Sequence, residues 1–168
     1  MDFKPIDTFS VSERIFTLID KDWMLVTAGG LGAYNTMTAS WGGLGTLWSR
    51  PVAFCFVRPS RHTFSFTERE NLFSLSFFPE GYRKALSYCG RHSGREVDKA
   101  RETGLRPFEV CGTIGFEQAR LIFVCRKLYA DFIRPENFID QSLIDENYPS
   151  KDFHRQYVGE IVGVFERI

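Results

Sequence analysis

Short apolar runs broken by glycine and proline, with no regular alternation of strand and helix, set the terms for this chain. Residues 23–27 are apolar and run into Ala28, Gly29 and Gly30, which read as a break. Residues 34–41 alternate, and residues 52–57 are apolar on both faces, the pattern of a strand buried on both sides. Residues 72–78 form an aromatic-rich run closed by Pro79, Glu80 and Gly81. Within residues 117–132 the alternation places Ala119, Leu121, Phe123 and Cys125 on one face. Residues 157–165 close the pattern, with Gly159 and Gly163 marking bends or close backbone contacts.

Helical signals are short and subsidiary. Ser60 reads as the N-cap of a helix over residues 61–69. Tyr82, Ala85, Leu86 and Cys89 carry the spacing of an amphipathic pair of turns. Residues 97–103 predict a further helix, stopped by Gly104 where a left-handed cap belongs. The absence of a βαβ rhythm and of a Gly-rich phosphate loop argues against a doubly wound sheet. Strands at short intervals argue for a small β-barrel: an all-β-dominated chain, one domain over residues 1–168, with a few short inserted helices.

Lys plus Arg equals Asp plus Glu at 21 each, so no global field draws nucleic acid or an anionic membrane. No charged start is followed by an apolar run, and no stretch approaches the roughly 20 residues of a membrane span. The expectation is a soluble cytoplasmic protein. Seventeen Phe, six Tyr and three Trp favour a sheet-rich core or a large buried interface. Cys55, Cys89, Cys111 and Cys125 form no C-x-x-C pair, and His62, His92 and His154 have no ligand-spaced partners. Free thiols and no metal site are expected, with Cys89 in a loop-like setting.

Chemistry concentrates in four segments. Read as a strand, Asn35, Thr36, Met37, Thr38, Ala39, Ser40 and Trp41 put three hydroxyls, of Thr36, Thr38 and Ser40, on one face. Such a face either holds a polar ligand or meets solvent. Val57, Arg58, Pro59, Ser60, Arg61, His62 and Thr63 span the end of the most buried strand and the start of a helix. A helix N-terminus flanked by guanidinium groups suits an anion, although two arginines at a strand end are also compatible with simple solvation. If the two strands pair, both clusters end on one patch. Residues 88–99 make a polar, basic loop entering a helix and include Ser93 and Lys99, and residues 152–160 make a charged approach to the last strand.

Together these segments resemble the flavin reductase-like family of FMN-binding split barrels, most closely its flavoredoxin-type branch, from about Trp23 to the C-terminus. The resemblance implies a split β-barrel of Greek-key type, a homodimer, and FMN as cofactor. It implies that Asn35, Thr36, Met37, Thr38, Ala39, Ser40 and Trp41 line the ribityl chain and isoalloxazine. Val57, Arg58, Pro59, Arg61, His62 and Thr63, with Ser93 and Lys99, then serve the phosphate side. His154 and Gly159 keep the H-x4-G spacing of small two-component reductases, but Asp152 stands two residues before the histidine and not next to it. The activity implied takes electrons from NAD(P)H onto FMN and passes them to free flavin or a redox-protein acceptor. An electron-transfer flavoprotein, or a flavin-binding protein without nicotinamide turnover, is the alternative. No catalytic acid or base is named, because redox power in such a protein belongs to the cofactor.

Overall fold

The computed structural model describes residues 3–168, so the leader reading at Met1 and Asp2 lies outside it. The strands are β1 (Phe3–Ile6), β2 (Met24–Gly30), β3 (Ala33–Ala39), β4 (Gly42–Leu47), β5 (Arg50–Val57), β6 (Leu72–Phe77), β7 (Pro107–Val110), β8 (Thr113–Phe116), β9 (Leu121–Phe132) and β10 (Arg155–Arg167). The helices are α1 (Ile15–Thr17), α2 (His62–Arg69), α3 (Arg83–Arg91), α4 (Lys99–Thr103) and α5 (Ser142–Asn147). An antiparallel sheet runs in the order β3-β2-β6-β9-β10-β5-β4, with β1 on β10 and a separate β7-β8 hairpin. The two ends of that path, β3 and β4, are joined only by Ser40 and Trp41, which curls the sheet into a barrel.

Two apolar clusters hold the fold. Inside the barrel, Met24, Val26, Met37, Ala39, Ala53, Cys55, Phe73, Leu75, Phe123, Cys125, Tyr157 and Val164 pack together. Outside it, Leu25 of β2 with Ile122 and Val124 of β9 meet Leu86, Cys89, Ala100, Leu105, Val110 and Phe116 from the helices and the small hairpin. Thus β2 and residues 121–125 of β9 are buried on both faces, which β-branched and aromatic side chains favour. Ala119 precedes β9 and packs in the second cluster, away from Leu121, Phe123 and Cys125.

Several expectations are corrected. Residues 28–30 do not break the strand: β2 pairs through Gly30, and Gly29 (φ 113°) allows a backbone approach that would put a Cβ 2.3 Å from the Ala33 carbonyl oxygen. Ser60 does not cap α2. Arg61 occupies that position without a side-chain cap, and the Ser60 hydroxyl donates instead to Asp152 Oδ2 at 2.5 Å. Cys89 lies buried in α3, and burial pushes its thiol up to about 11. Gly104 does close α4 in the left-handed region (φ 69°), and β10 carries register shifts at Val158/Gly159 and Ile161/Gly163.

Candidate functional site

β3 and β5 do not pair: β5 lies between β10 and β4. Barrel closure nevertheless brings the two clusters together, because the chain leaves β3 through Ser40 and Trp41 beside the end of β5. The result is a cleft of about 280 Å³ lined by Met37, Thr38, Ala39, Ser40, Trp41, Phe56, Arg58, Arg61 and His154. Asn35, Thr36 and Lys99 line a second cleft of about 370 Å³, between the β2-β3 hairpin and residues 94–100. Val57 points into the core, and Pro59 borders a different surface groove with Phe132 and Phe153.

The hydroxyl face is mostly spent on the fold. Thr36 is buried and shares a hydrogen bond with Thr27 at 2.8 Å across the hairpin. Thr38 donates to the Leu86 carbonyl oxygen at 2.5 Å, which ties β3 to α3. Asn35 donates to Thr63 Oγ1 at 2.7 Å, with Gly94 laid so close that a Cβ there would fall 1.9 Å from Asn35 Oδ1. Ser93 Oγ accepts from the Arg95 backbone N–H at 3.2 Å, a loop contact.

The cations divide in the same way. Arg58 donates to the carbonyl oxygens of Asp152 (3.1 Å) and Asn147 (2.8 Å) and lies over the Tyr148 ring at 5.1 Å, so it staples the segment before β10. Lys99, 5% exposed, donates to the carbonyl oxygens of Thr36 (2.8 Å) and Cys89 (2.9 Å). Burial, reinforced by Arg61, lowers its ammonium to about 8. Arg61 reaches Cys89 O only at 3.4 Å and is half-buried, with burial lowering its pKa. His62 Nδ1 is buried without a partner, and burial together with Arg95 and Lys99 holds the imidazole below its ordinary value. None of Arg58, Arg61, Arg95 and Lys99 enters an ion pair among the described residues. Glu96 and Asp98 line the same cleft as Arg95 and Lys99 without pairing with them. Cations held outside ion pairs beside a helix N-terminus are suited to a phosphate.

At the other end of the cleft, His154 is 8% exposed and sits between Trp41 (ring centroids 5.1 Å) and Phe56 (6.3 Å). Burial and Arg58 lower its imidazole to about 4, opposed in part by Asp152. It is therefore neutral near pH 7. Phe56 and Tyr148 went unnoticed in the sequence, since each is an ordinary aromatic with no motif around it.

A family model described as Flavin reductase like domain matches residues 19–167. The chain belongs to that family. Among solved structures, the family fold is shared with an FMN-binding domain of a flavin reductases-like enzyme from Shewanella baltica OS155 (15% identity, 98% of this chain and 77% of that one, TM-score 0.68). Flavoredoxin from Methanosarcina acetivorans is similar over 96% of this chain and 76% of its own (21% identity, TM-score 0.68). An NADH:FAD oxidoreductase from Streptomyces globisporus C-1027 covers 88% and 75% (18% identity, TM-score 0.66) and was also solved with NAD and FAD fragments. No curated protein matches the chain. As a flavin reductase-like domain, this chain has the sheet-dominated split barrel of those neighbours. No helix among the described residues is long and apolar enough to cross a membrane.

Proposed function

We propose that the protein binds FMN and uses it to pass electrons from NAD(P)H to free flavin or a redox-protein acceptor. The observation that carries this reading is the group Arg61, His62, Arg95 and Lys99, which enters no ion pair among the described residues, with the unpartnered His62 Nδ1, next to an aromatic cleft. An FMN phosphate brings roughly two negative charges near neutral pH, and these side chains supply the local compensation that a chain of zero net charge otherwise lacks. Bound FMN supplies hydride and single-electron chemistry. Trp41 and Phe56 provide apolar walls that exclude water, Ser40 offers a hydroxyl to the ring or ribityl chain, and neutral His154 holds a hydrogen-bonding edge toward the cleft. The Shewanella and Methanosarcina neighbours, by name an FMN-binding domain and a flavoredoxin, support the cofactor, and the Streptomyces neighbour supports the nicotinamide donor.

We further propose a homodimer, in keeping with the exposed Trp48, Leu128, Tyr129, Phe132 and Val162 on and beside β4, β9 and β10. A cytoplasmic setting fits four free cysteines and a supply of reduced nicotinamide. The absorbance spectrum of the purified protein, followed by anaerobic mixing with NADH and then NADPH, tests the proposal. A flavin spectrum bleached by one nicotinamide is the expected result. A flavin spectrum bleached by neither leaves an electron carrier, and failure to take up added FMN overturns the cofactor assignment.

A further inference from the structure

We infer that Tyr148 is a positioning residue that fixes His154 as the Nε2–H tautomer, aiming a hydrogen-bond donor into the cleft. The role of that donor rests on the flavin site proposed above, whereas the tautomer itself does not.

The geometry begins with the Tyr148 hydroxyl, 3.0 Å from His154 Nδ1 in a buried contact. Tyr148 is 4% exposed, and Nδ1 is the acceptor its hydroxyl has among the described residues. A buried hydroxyl left without an acceptor is costly, so the phenol donates and Nδ1 accepts. Neutral imidazole carries one N–H, which must then sit on Nε2. No hydrogen bond to Nε2 is made among the described residues, and His154 lines the cleft with Trp41 and Arg61.

Tyr148 is itself firmly placed. Its ring stacks on Phe153 (4.7 Å, 24°), meets the edge of Phe138 (6.0 Å, 71°) and lies under the Arg58 guanidinium. Its backbone N–H donates to the Ile144 carbonyl oxygen at 2.7 Å, and its own carbonyl accepts from Lys151 at 2.9 Å. Arg58 grips the chain on both sides, at Asn147 and Asp152. The charged groups around His154 are Arg58 and Asp152, with Arg61 elsewhere on the cleft wall; Arg58 and burial keep the ring neutral. A neutral donor beside a flavin ring suits an oxygen or ring nitrogen that gains electron density on reduction, without placing a fixed positive charge there.

Two-bond 1H–15N correlation spectra of the histidine rings test this, with His154 assigned from the His154→Gln variant. The expected wild-type pattern is an unprotonated Nδ1 and a protonated Nε2 between pH 6 and pH 8. In Tyr148→Phe the pattern should shift to a mixture or to the opposite tautomer. FMN affinity should stay within about twofold, and reduction by NAD(P)H should slow about tenfold, the loss of one such hydrogen bond. A wild-type Nδ1–H tautomer overturns the inference whether or not the variant folds. So does a Tyr148→Phe protein with unchanged tautomer and rate and only a lowered melting temperature. If the tautomer switches as expected but neither nicotinamide reduces the wild-type protein, the reductase reading fails and the Tyr148 assignment stands.

Discussion

Arg61 and Lys99 converge on a single acceptor, the carbonyl oxygen of Cys89, at 3.4 and 2.9 Å. That oxygen belongs to the last turn of α3, where the helix dipole presents partial negative charge. The fold therefore holds two neighbouring cations on backbone carbonyl oxygens and a helix end with no ion pair to either among the described residues, an arrangement suited to an incoming phosphate.

Lys99 makes that arrangement sensitive to pH. Its ammonium is lowered to about 8, and a bound anion favours the charged form, so FMN binding raises this pKa and takes up a proton. Affinity should be greatest below pH 8 and fall as the pH rises from 8 toward 9.5. In Lys99→Met the slope should disappear and affinity at pH 7 should drop. Fluorescence titration of FMN at several pH values checks this, and a flat wild-type profile removes Lys99 from the phosphate side.

Arg61 and Arg58 should behave differently although they are three residues apart. Arg61 has donors to spare, so Arg61→Ala should weaken FMN by about ten- to a hundredfold while leaving riboflavin nearly unchanged, the value of a charge-assisted contact. Arg58 is committed to Asn147 and Asp152. Arg58→Ala should thus lower the melting temperature and weaken both flavins alike.

Thr38→Val keeps shape but removes the hydroxyl that donates to the Leu86 carbonyl oxygen of α3. On the sequence alone, a hydroxyl facing either ligand or solvent would leave stability little changed. The structure predicts a loss of about 1 kcal/mol in urea denaturation, because the side-chain hydrogen bond between β3 and α3 is lost. Flavin affinity should then fall only as far as α3 shifts away from β3.

His154 alters the acid side of the stability curve. With a folded value of about 4 against an ordinary 6.5, the unfolded chain binds more protons between these limits. Stability therefore rises with pH from 4 to 6.5 and is lost on acidification through that window. His154→Gln should flatten this part of a melting-temperature profile relative to wild type. It should leave the region above pH 6.5 parallel, and the rate of flavin reduction should show no His154 titration near neutrality, contrary to what an unperturbed histidine predicts.

Long periodic segments were legible because period-two alternation and apolar runs are local: β3, β5, β6 and β10 lie where the sequence puts them. The four-residue strands β7 and β8 were not, since Gly115 interrupts their pattern. Their turn depends on Cys111 and Gly112 both taking positive φ, at 47° and 82°. The hydroxyl face was legible as a face, with ligand or solvent left open as what it meets; Thr38 and Ser40 line the cleft, while the Thr36 and Thr38 hydroxyls are engaged by the fold. Alternation shows that Thr36 and Thr38 point the same way, but only tertiary packing shows Thr27 and α3 waiting there. Arg58 offers the same lesson, because its partners lie 89 and 94 residues away and no local signal reports them.

β10 pairs with β9 along most of its length, with β5 over residues 155–160, and with β1 over residues 164–167, its two bulges turning it from one neighbour to the next. During synthesis this strand leaves the ribosome after all three partners, so neither the barrel nor the cleft beside His154 can close until translation has passed it. Until then the unpaired edges of β5 and β9 stand open. Assembly of the site is thereby timed by chain order: a nascent chain halted before residue 155 carries every residue that lines the cleft but lacks the strand that closes the barrel around them.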